Sequence, residues 1–278
     1  MSNTLPTAII QLPPVSPRML EIYHPGAVPL SALSQLAAKG TVFHEYYSSK
    51  AQQAEFRQRL QDTSGDKWGE NGLAQLPVSA EVAEKTLLWI VAESGAGRDL
   101  HSCDLALGKW IEMLRQAWEG REYRIVVMAP TGCGELSGPA QEDSTGESTG
   151  PGFREAYQKS FSASRWTPLI ISGSSQQEHV RNLDLLDPAK LNEMLATVQD
   201  RAGDGTLLFE DATRVGLRAS ERLLVVGKEL LGLQEDDLHD STAVELYAKP
   251  EDRYDLNDIS SSEPECVQDM LNRLKQLV

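Results

Sequence analysis

The sequence predicts an α/β fold that is helix-rich, with a small and mainly parallel sheet and helices on both faces. Two observations predict it. Four short runs, near residues 7–12, 123–128, 167–172 and 205–209, are continuously apolar, as strands buried on both faces are. Residues 99–128 have the pattern of a helix, a short link and an apolar strand, which is the unit from which such sheets are built. An α+β arrangement is the alternative.

The N-terminal half is predicted to hold one strand and four helices. The strand at Thr7–Leu12 stops at two consecutive prolines. Helices are predicted where apolar residues recur three and four positions apart, over Ser31–Lys39, Ser48–Gln61, Ser79–Glu93 and Asp99–Trp118. Residues 63–77 contain three glycines and are predicted to form a loop.

The C-terminal half begins with a segment of different composition. Residues 131–152 are rich in glycine, serine and threonine and exceed the usual loop length of about 12–15 residues, so we expect disorder over 136–152. Beyond it, strands are predicted near 167–172 and 205–209. Helices are predicted from Asp187 onward, over Asp211–Leu231, and at the C-terminus after a capping box of Ser262 and Glu265.

The same composition changes predict the domain organisation. Residues 1–232 are expected to form the α/β domain, including the disordered loop at 136–152. Residues 233–278 are expected to be an acidic C-terminal segment that ends in an amphipathic helix.

Charge and cysteine content restrict the partners and the compartment. The net charge of −15 arises from 41 acidic and 26 basic residues, and so acidic a chain repels nucleic-acid backbones and anionic membrane surfaces. The three cysteines lie far apart and indicate no disulfide framework. The sequence predicts neither a signal peptide nor a membrane span. We therefore expect a cytoplasmic or nuclear protein, with no nucleic acid and no membrane as partner.

Two small polar loops follow predicted strands and are the candidate ligand site. The first contains Thr131, Gly132 and Gly134, and the second contains Ser172 and Ser174. If the two strands run parallel, both loops lie at the carboxyl edge of the sheet, where open α/β folds bind ligands.

Neither loop completes a known catalytic motif. A phosphate-binding loop ends in Gly-Lys-Ser/Thr, whereas Glu135 and Leu136 stand here. A nucleophile elbow requires a glycine two residues after its serine, and none follows Ser174. The five histidines are scattered, so we predict no metal site. The sequence assigns no catalytic residue and no cofactor.

Two functions remain open from the sequence. The first is a non-catalytic subunit or regulatory protein that binds another protein through its C-terminal helix, with Leu271, Leu274 and Leu277 as anchors. That helix would otherwise pack on its own domain. The second is an enzyme or ligand-binding protein that takes an anionic small molecule or a nucleotide at the two loops.

Overall fold

The structure, a computed structural model, contains two sheets, one of seven strands and one of four. It describes residues 5–65, 68–77, 79–92, 100–132, 160–174, 178–197, 205–231, 243–253 and 255–278. The strands of the first sheet are β1 Thr7–Gln11, β2 Gly40–Phe43, β3 Trp68–Gly72, β4 Leu87–Val91, β5 Arg124–Met128, β6 Leu169–Gly173 and β7 Val180–Asn182. Those of the second are β8 Leu207–Glu210, β9 Arg214–Arg218, β10 Arg222–Gly227 and β11 Val244–Ala248. The α-helices are α1 Ser31–Ala38, α2 Lys50–Ser64, α3 Ser79–Ala83, α4 Leu100–Ala117, α5 Pro188–Thr197 and α6 Pro264–Leu277.

The large sheet is mixed but mainly parallel, which confirms the predicted fold class. Its strand order is β3-β4-β1-β5-β6-β2-β7. The strands β3, β4, β1 and β5 pair in parallel, as do β2 and β7. Strand β6 runs antiparallel to both of its neighbours, β5 and β2. As a result β1, β2, β4 and β5 all end at one edge, which we call the carboxyl edge.

Helices cover both faces of this sheet, as the continuous apolar runs predict. Along β1, Ala8 and Ile10 point into a core that α1, α3 and α4 close. Ile9, between them, points into the opposite core beneath α2 and α5. Alternate side chains of one strand are thus buried on opposite faces, so each strand position is apolar.

Helix α1 receives its N-terminal cap from another helix. Its own N-cap residue, Leu30, offers no side-chain hydrogen bond. Instead the buried carboxylate of Asp104 on α4 accepts from the backbone N–H groups of Ala32 and Leu33 at 3.0 and 2.9 Å. This satisfies two of the donors that a helix start leaves open, and it fixes α1 against α4.

The second sheet is an antiparallel meander in the order β11-β10-β9-β8. One face packs on α6, and the other packs on aromatic residues that belong to loops at the carboxyl edge, such as Tyr47 and Trp166. A buried ion pair joins the two parts, because Arg218 on β9 donates to Glu45 at 3.0 Å. The second sheet therefore stabilises two loops, the one that follows β2 and the one that precedes β6.

Several sequence-based predictions are wrong in this region and at one side of the large sheet. Residues Asp211–Leu231 form β9, β10 and a short 3₁₀ turn, not a long helix. The predicted helix Ser79–Glu93 is replaced by the short helix α3 and the strand β4. The stretch 63–77 contains the edge strand β3. Helix α6 begins at Pro264 with Glu263 as N-cap and no side-chain cap, so the Ser262–Glu265 capping box does not form.

The predicted domain boundary at residue 232 falls within the second sheet. Strand β10 lies before it and β11 after it, and the two strands pair with each other. The predicted disordered loop at 136–152 lies outside the described residues. Among the described helices, none combines the length and the apolar character needed to cross a bilayer.

Candidate functional site

A polar cavity of about 400 Å³ lies at the carboxyl edge, beside the ends of β1 and β5. Gln11, the last residue of β1, and Pro130, two residues beyond β5, form one side of it. The other side is a face of α2, namely Gln53, Ala54, Arg57, Gln58 and Gln61. The position outside the carboxyl ends of central parallel strands is where open α/β sheets bind ligands.

Helix α2 turns this polar face toward the sheet edge because its start and its apolar side are both fixed. Ser49 and Gln52 form a capping box at its N-terminus. Phe56 and Leu60 are buried in the core beneath the sheet, where Phe56 packs against Trp89 with ring centroids 6.0 Å apart. A neighbouring face of the helix then carries the residues that line the cavity, which recur at intervals of one, three and four positions: Gln53, Ala54, Arg57, Gln58 and Gln61.

The lining of this cavity favours an anion. Arg57 is its one charged group among the described residues, and four glutamines supply amide donors and acceptors. Arg57 pairs with Glu70 on β3 and lies over the ring of Trp89, 5.6 Å from the centroid. Its guanidinium has five N–H donors, so the ion pair leaves donors for a ligand. The described lining residues include no carboxylate, although Glu70 pairs with Arg57 and Asp62 accepts from Gln58 Nε2 at 2.8 Å.

Gln53 has a buried oxygen without a hydrogen-bond partner. Its side-chain Nε2 donates to the hydroxyl of Tyr46 at 3.0 Å, which orients the amide. Its Oε1 is buried and accepts no hydrogen bond from the described residues. Only 4% of Gln53 is exposed. A buried acceptor left unpaired costs about 1–3 kcal/mol, and this oxygen has almost no accessible surface of its own.

A neutral histidine lies on the loop that follows β2 at the same edge. Arg181 donates to His44 Nε2 at 2.9 Å, so that nitrogen carries no proton. Tyr23 packs edge-on against the ring at 5.3 Å. Burial, together with the positive charges of Arg181 and Arg253, lowers the pKa of His44 from 6.5 to about 4.

We expect this histidine to make the protein less stable in mild acid. Between pH 6.5 and pH 4 the unfolded chain binds a proton at His44 that the folded chain does not. The free energy of unfolding therefore falls as the pH is lowered through this window, by about 1–2 kcal/mol between pH 7 and pH 5. Urea denaturation of the wild type and of His44→Gln at both pH values measures this contribution. Parallel losses in the two proteins would contradict it.

The structure separates the two loops that the sequence proposed as one site. Thr131 and Gly132 follow β5 at the carboxyl edge. Because β6 is antiparallel to β5, Ser172 and Ser174 lie at the opposite edge. There Ser172 donates to the carbonyl of Lys39 at 2.9 Å, and Ser174 accepts from the backbone N–H of Tyr123 at 3.0 Å. The expectation that the loops are neighbours is therefore wrong.

The described glycine of the first loop has a packing role. A Cβ added to Gly132 would lie 2.3 Å from the carbonyl oxygen of Ala163 and 2.7 Å from that of Trp166. Glycine is needed here because two backbone segments approach closely. Gly134 lies outside the described residues.

The leucines proposed as partner anchors lie on α6, and two of them are inaccessible. Leu271 is 2% exposed and Leu274 is fully buried, both in the core between α6 and the second sheet. Leu277 is 57% exposed. The helix packs on its own chain, so Leu271 and Leu274 cannot anchor a second protein while this core is intact.

The cavity residues were missed in the sequence because glutamines carry no motif. One signal was present: Gln53, Arg57, Gln58 and Gln61 form a polar stripe at helical spacing on a helix whose other residues include a buried apolar pair. Such a stripe is typical of any surface helix, so it could not identify a site alone. Among the described residues, no three His, Cys, Asp or Glu side chains come together as a metal site.

Comparison with known proteins shows what this architecture resembles. No family model matches the chain, and no curated protein matches it in sequence. Solved structures do match. Ps i-CgsB in complex with k-i-k-neocarrahexaose aligns with 99% of this chain and 93% of its own, at 10% identity and a TM-score of 0.67. A 2-O GAG sulfatase aligns over 99% and 92%, at 10% identity and a TM-score of 0.61. The chain has the fold of the sulfatases.

A third structure with this fold was determined in complex with its substrate, D-glucosamine-2-N,6-O-disulfate. It aligns with 99% of this chain and 98% of its own, at 8% identity and a TM-score of 0.60. The sulfatase fold thus extends over both sheets and almost the full length of each structure.

The sulfatase fold corrects the main functional interpretation of the sequence. A non-catalytic subunit or regulatory protein that acts by binding another protein is wrong, because the solved structures with this fold include sulfatases. The ligands named for two of the matches are carbohydrates and not proteins. The second interpretation, an enzyme or ligand-binding protein for an anionic small molecule, agrees better with these findings.

Proposed function

We propose that the protein is an enzyme of the sulfatase fold that acts on a sulfated carbohydrate or another small organic sulfate. The observation that carries this proposal is the cavity at the carboxyl edge, in which Arg57 and three glutamines of α2 face Gln11 at the end of β1 and Pro130 beyond β5. The substrate class follows the ligands named for the matching structures, neocarrahexaose and a glucosamine disulfate. We expect the sulfate group to bind against Arg57.

The lining suits an organic sulfate for electrostatic and geometric reasons. The planar guanidinium of Arg57 presents parallel N–H donors that match two oxygens of a tetrahedral anion. The amides of Gln11, Gln58 and Gln61 can donate to the remaining oxygens and accept from hydroxyl groups. In hydrolysis, water takes the sulfuryl group and the alcohol leaves. Negative charge then grows on the bridging oxygen, where a fixed cation stabilises it.

Substituting Arg57 tests this proposal. Isothermal titration with D-glucosamine 6-sulfate should show that Arg57→Gln binds at least ten times more weakly than the wild type, because hydrogen bonds to charged groups contribute about 1.5–3 kcal/mol. Release of inorganic sulfate should fall at least as much. The matched control is Arg59→Gln, since Arg59 on the same helix pairs with Glu55 and does not line the cavity.

Three outcomes would contradict the proposal. If titration shows no heat of binding with any organic sulfate, the proposed ligand class is wrong. An equal loss of affinity in Arg59→Gln would show that the cavity is not the binding site. Binding without release of sulfate would overturn the enzymatic part of the proposal while leaving recognition of the anion.

A further inference from the structure

We propose that a second cavity, at the carboxyl ends of β3 and β4, binds an amphiphilic organic anion. The unbranched alkyl chain of this ligand lies in the cavity, and its carboxylate pairs with Lys109 on α4. The inference goes beyond the proposed function and is independent of it. The second cavity borders the core under α1, α3 and α4, whereas the cavity of Arg57 lies beside α2 on the opposite face of the large sheet.

The walls of this apolar cavity come from three parts of the chain. Leu73 and Leu76 follow β3, Ala92 comes directly after β4, and Cys103 and Ala106 belong to α4. Leu73, Ala92 and Cys103 are also members of the buried core on this face of the sheet. The volume of about 400 Å³ lies within the range of about 300–1,000 Å³ that is typical of small-molecule sites. The cavity therefore extends the hydrophobic core to the surface.

Hydrogen bonds hold these walls in place. The buried Nε1 of Trp110 on α4 donates to the carbonyl of Leu73 at 2.9 Å. The backbone N–H of Leu73 donates to Val91 at 2.7 Å, and that of Ala92 donates to Gln11 at 2.8 Å. The segments after β3 and β4 are thus tied to the helix and to the sheet. A site that is formed before binding loses little conformational entropy when the ligand enters.

The lining of the apolar cavity favours a hydrocarbon chain. Leu76 and Leu105 line it and are 47% and 59% exposed, and grouped exposed apolar side chains mark binding sites. Among the described lining residues none is aromatic, and only Ser102 and Lys109 carry oxygen or nitrogen in their side chains. A sugar or a heterocycle would leave polar atoms unpaired against such walls, whereas an alkyl chain covers the two leucines.

The charge at the cavity selects the head group. Lys109 is exposed and is the one charged residue among the described lining residues, so no carboxylate there opposes an anion. Lys109 forms no ion pair with another described residue. Its ammonium group can therefore pair with a carboxylate at the end of the alkyl chain. Since an exposed ion pair contributes modestly, we expect the carboxylate to lower Kd by about threefold to tenfold.

Three probes with the same chain length test the inference in the wild type. Isothermal titration with octanoate, octan-1-ol and octyltrimethylammonium compares a negative, a neutral and a positive head group. Octanoate should have a Kd about threefold to tenfold lower than octan-1-ol, and octyltrimethylammonium should bind most weakly. Hexanoate lacks two CH₂ groups and should bind about fourfold to fifteenfold more weakly than octanoate, because each buried CH₂ group contributes up to about fourfold in Kd.

Variants of α4 assign the binding to this cavity. In Lys109→Gln the Kd values of octanoate and octan-1-ol should come within twofold, with that of octan-1-ol unchanged. Arg115→Gln removes one positive charge from the same helix outside the lining, so it is the matched control and should keep the preference. Ala106→Phe fills the cavity and should weaken both probes at least fivefold. Leu105→Ser changes an exposed wall residue and should also weaken both, and it serves should Ala106→Phe fail to fold.

Several outcomes would overturn the inference without affecting the proposed function. These are no binding of any probe, equal affinity for all three head groups, or a preference that persists in Lys109→Gln. Loss of octanoate binding in Arg57→Gln would place octanoate in the polar cavity instead. Binding to phosphatidylglycerol vesicles without binding to octanoate would assign the apolar cavity to a membrane surface. A dimer that light scattering detects and that Leu105→Ser dissociates would assign it to a second copy of the chain.

Discussion

Replacement of Lys249 by methionine is expected to lower the free energy of unfolding by about 3–5 kcal/mol. The side chains of Lys249 and Asp255 are 1% and 2% exposed, and they form an ion pair at 2.5 Å. Lys249 also donates to Ser162 Oγ at 3.2 Å, and Asp255 accepts from the backbone N–H of Ser162 at 2.7 Å. Burial lowers the pKa of Lys249 and the charge of Asp255 opposes that shift. Without the ammonium group, a buried carboxylate loses its counter-ion.

A surface ion pair on the second sheet provides the control for this prediction. Lys228 and Glu210 pair at 3.0 Å, but their side chains are 37% and 54% exposed. Lys228→Met should change stability by at most about 1 kcal/mol, because exposed pairs are screened by water. Urea denaturation of the two variants measures the difference. The double variant Lys249→Met/Asp255→Asn should recover part of the loss, and equal losses at Lys249 and Lys228 would contradict the argument.

Truncation of Trp89 to alanine is expected to lower the free energy of unfolding by about 3–5 kcal/mol. We expect it to weaken binding of the proposed ligand as well. Trp89 lies on β4, the strand next to the edge strand β3, and is fully buried. Its ring packs against Phe56 of α2 and, at 6.1 Å between centroids, against Trp68 of β3. Arg57 lies over the same ring. Removing the ring leaves a cavity under α2 and removes the surface that supports Arg57.

A phenylalanine at this position separates packing from polarity. The indole Nε1 of Trp89 has no hydrogen-bond partner among the described residues, so Trp89→Phe removes an unsatisfied buried donor together with part of the ring. We expect this variant to lose less than half as much stability as Trp89→Ala. Thermal unfolding measures both, and titration with D-glucosamine 6-sulfate follows the affinity. A Trp89→Ala protein with wild-type affinity would show that α2 does not depend on this ring.

Much of the main sheet could be predicted from sequence, because buried strands leave a local signal. The strands β1, β5 and β6 coincide with apolar runs bounded by prolines or small polar residues. The strand β4 was missed because Leu87–Val91 is short and apolar throughout, and such a run does not distinguish a buried strand from a buried helix. The β9–β10 hairpin was missed for a related reason, since its apolar residues also fit a helical spacing.

The candidate site could not be predicted because it depends on long-range pairing. The direction of β6 decides whether Ser172 lies beside Thr131 or at the other end of the sheet, and the sequence near these residues does not encode that direction. The cavity also joins Gln11 with Arg57, through a strand and a helix far apart in the chain. The functional interpretation was wrong for the same reason, because a search for local motifs cannot find a site that is assembled from distant residues.

The central position of β1 in the sheet has a consequence for synthesis. Residues 7–11 pair with residues 87–91 on one side and 124–128 on the other, so β1 has neither of these partners until residues 87–128 have left the ribosome. Helix α1 likewise waits for Asp104 to cap it. With so many contacts between distant residues, folding should be slow, and the apolar β1 segment should be exposed to aggregation during synthesis. Dependence on a chaperone during translation would follow from the topology alone.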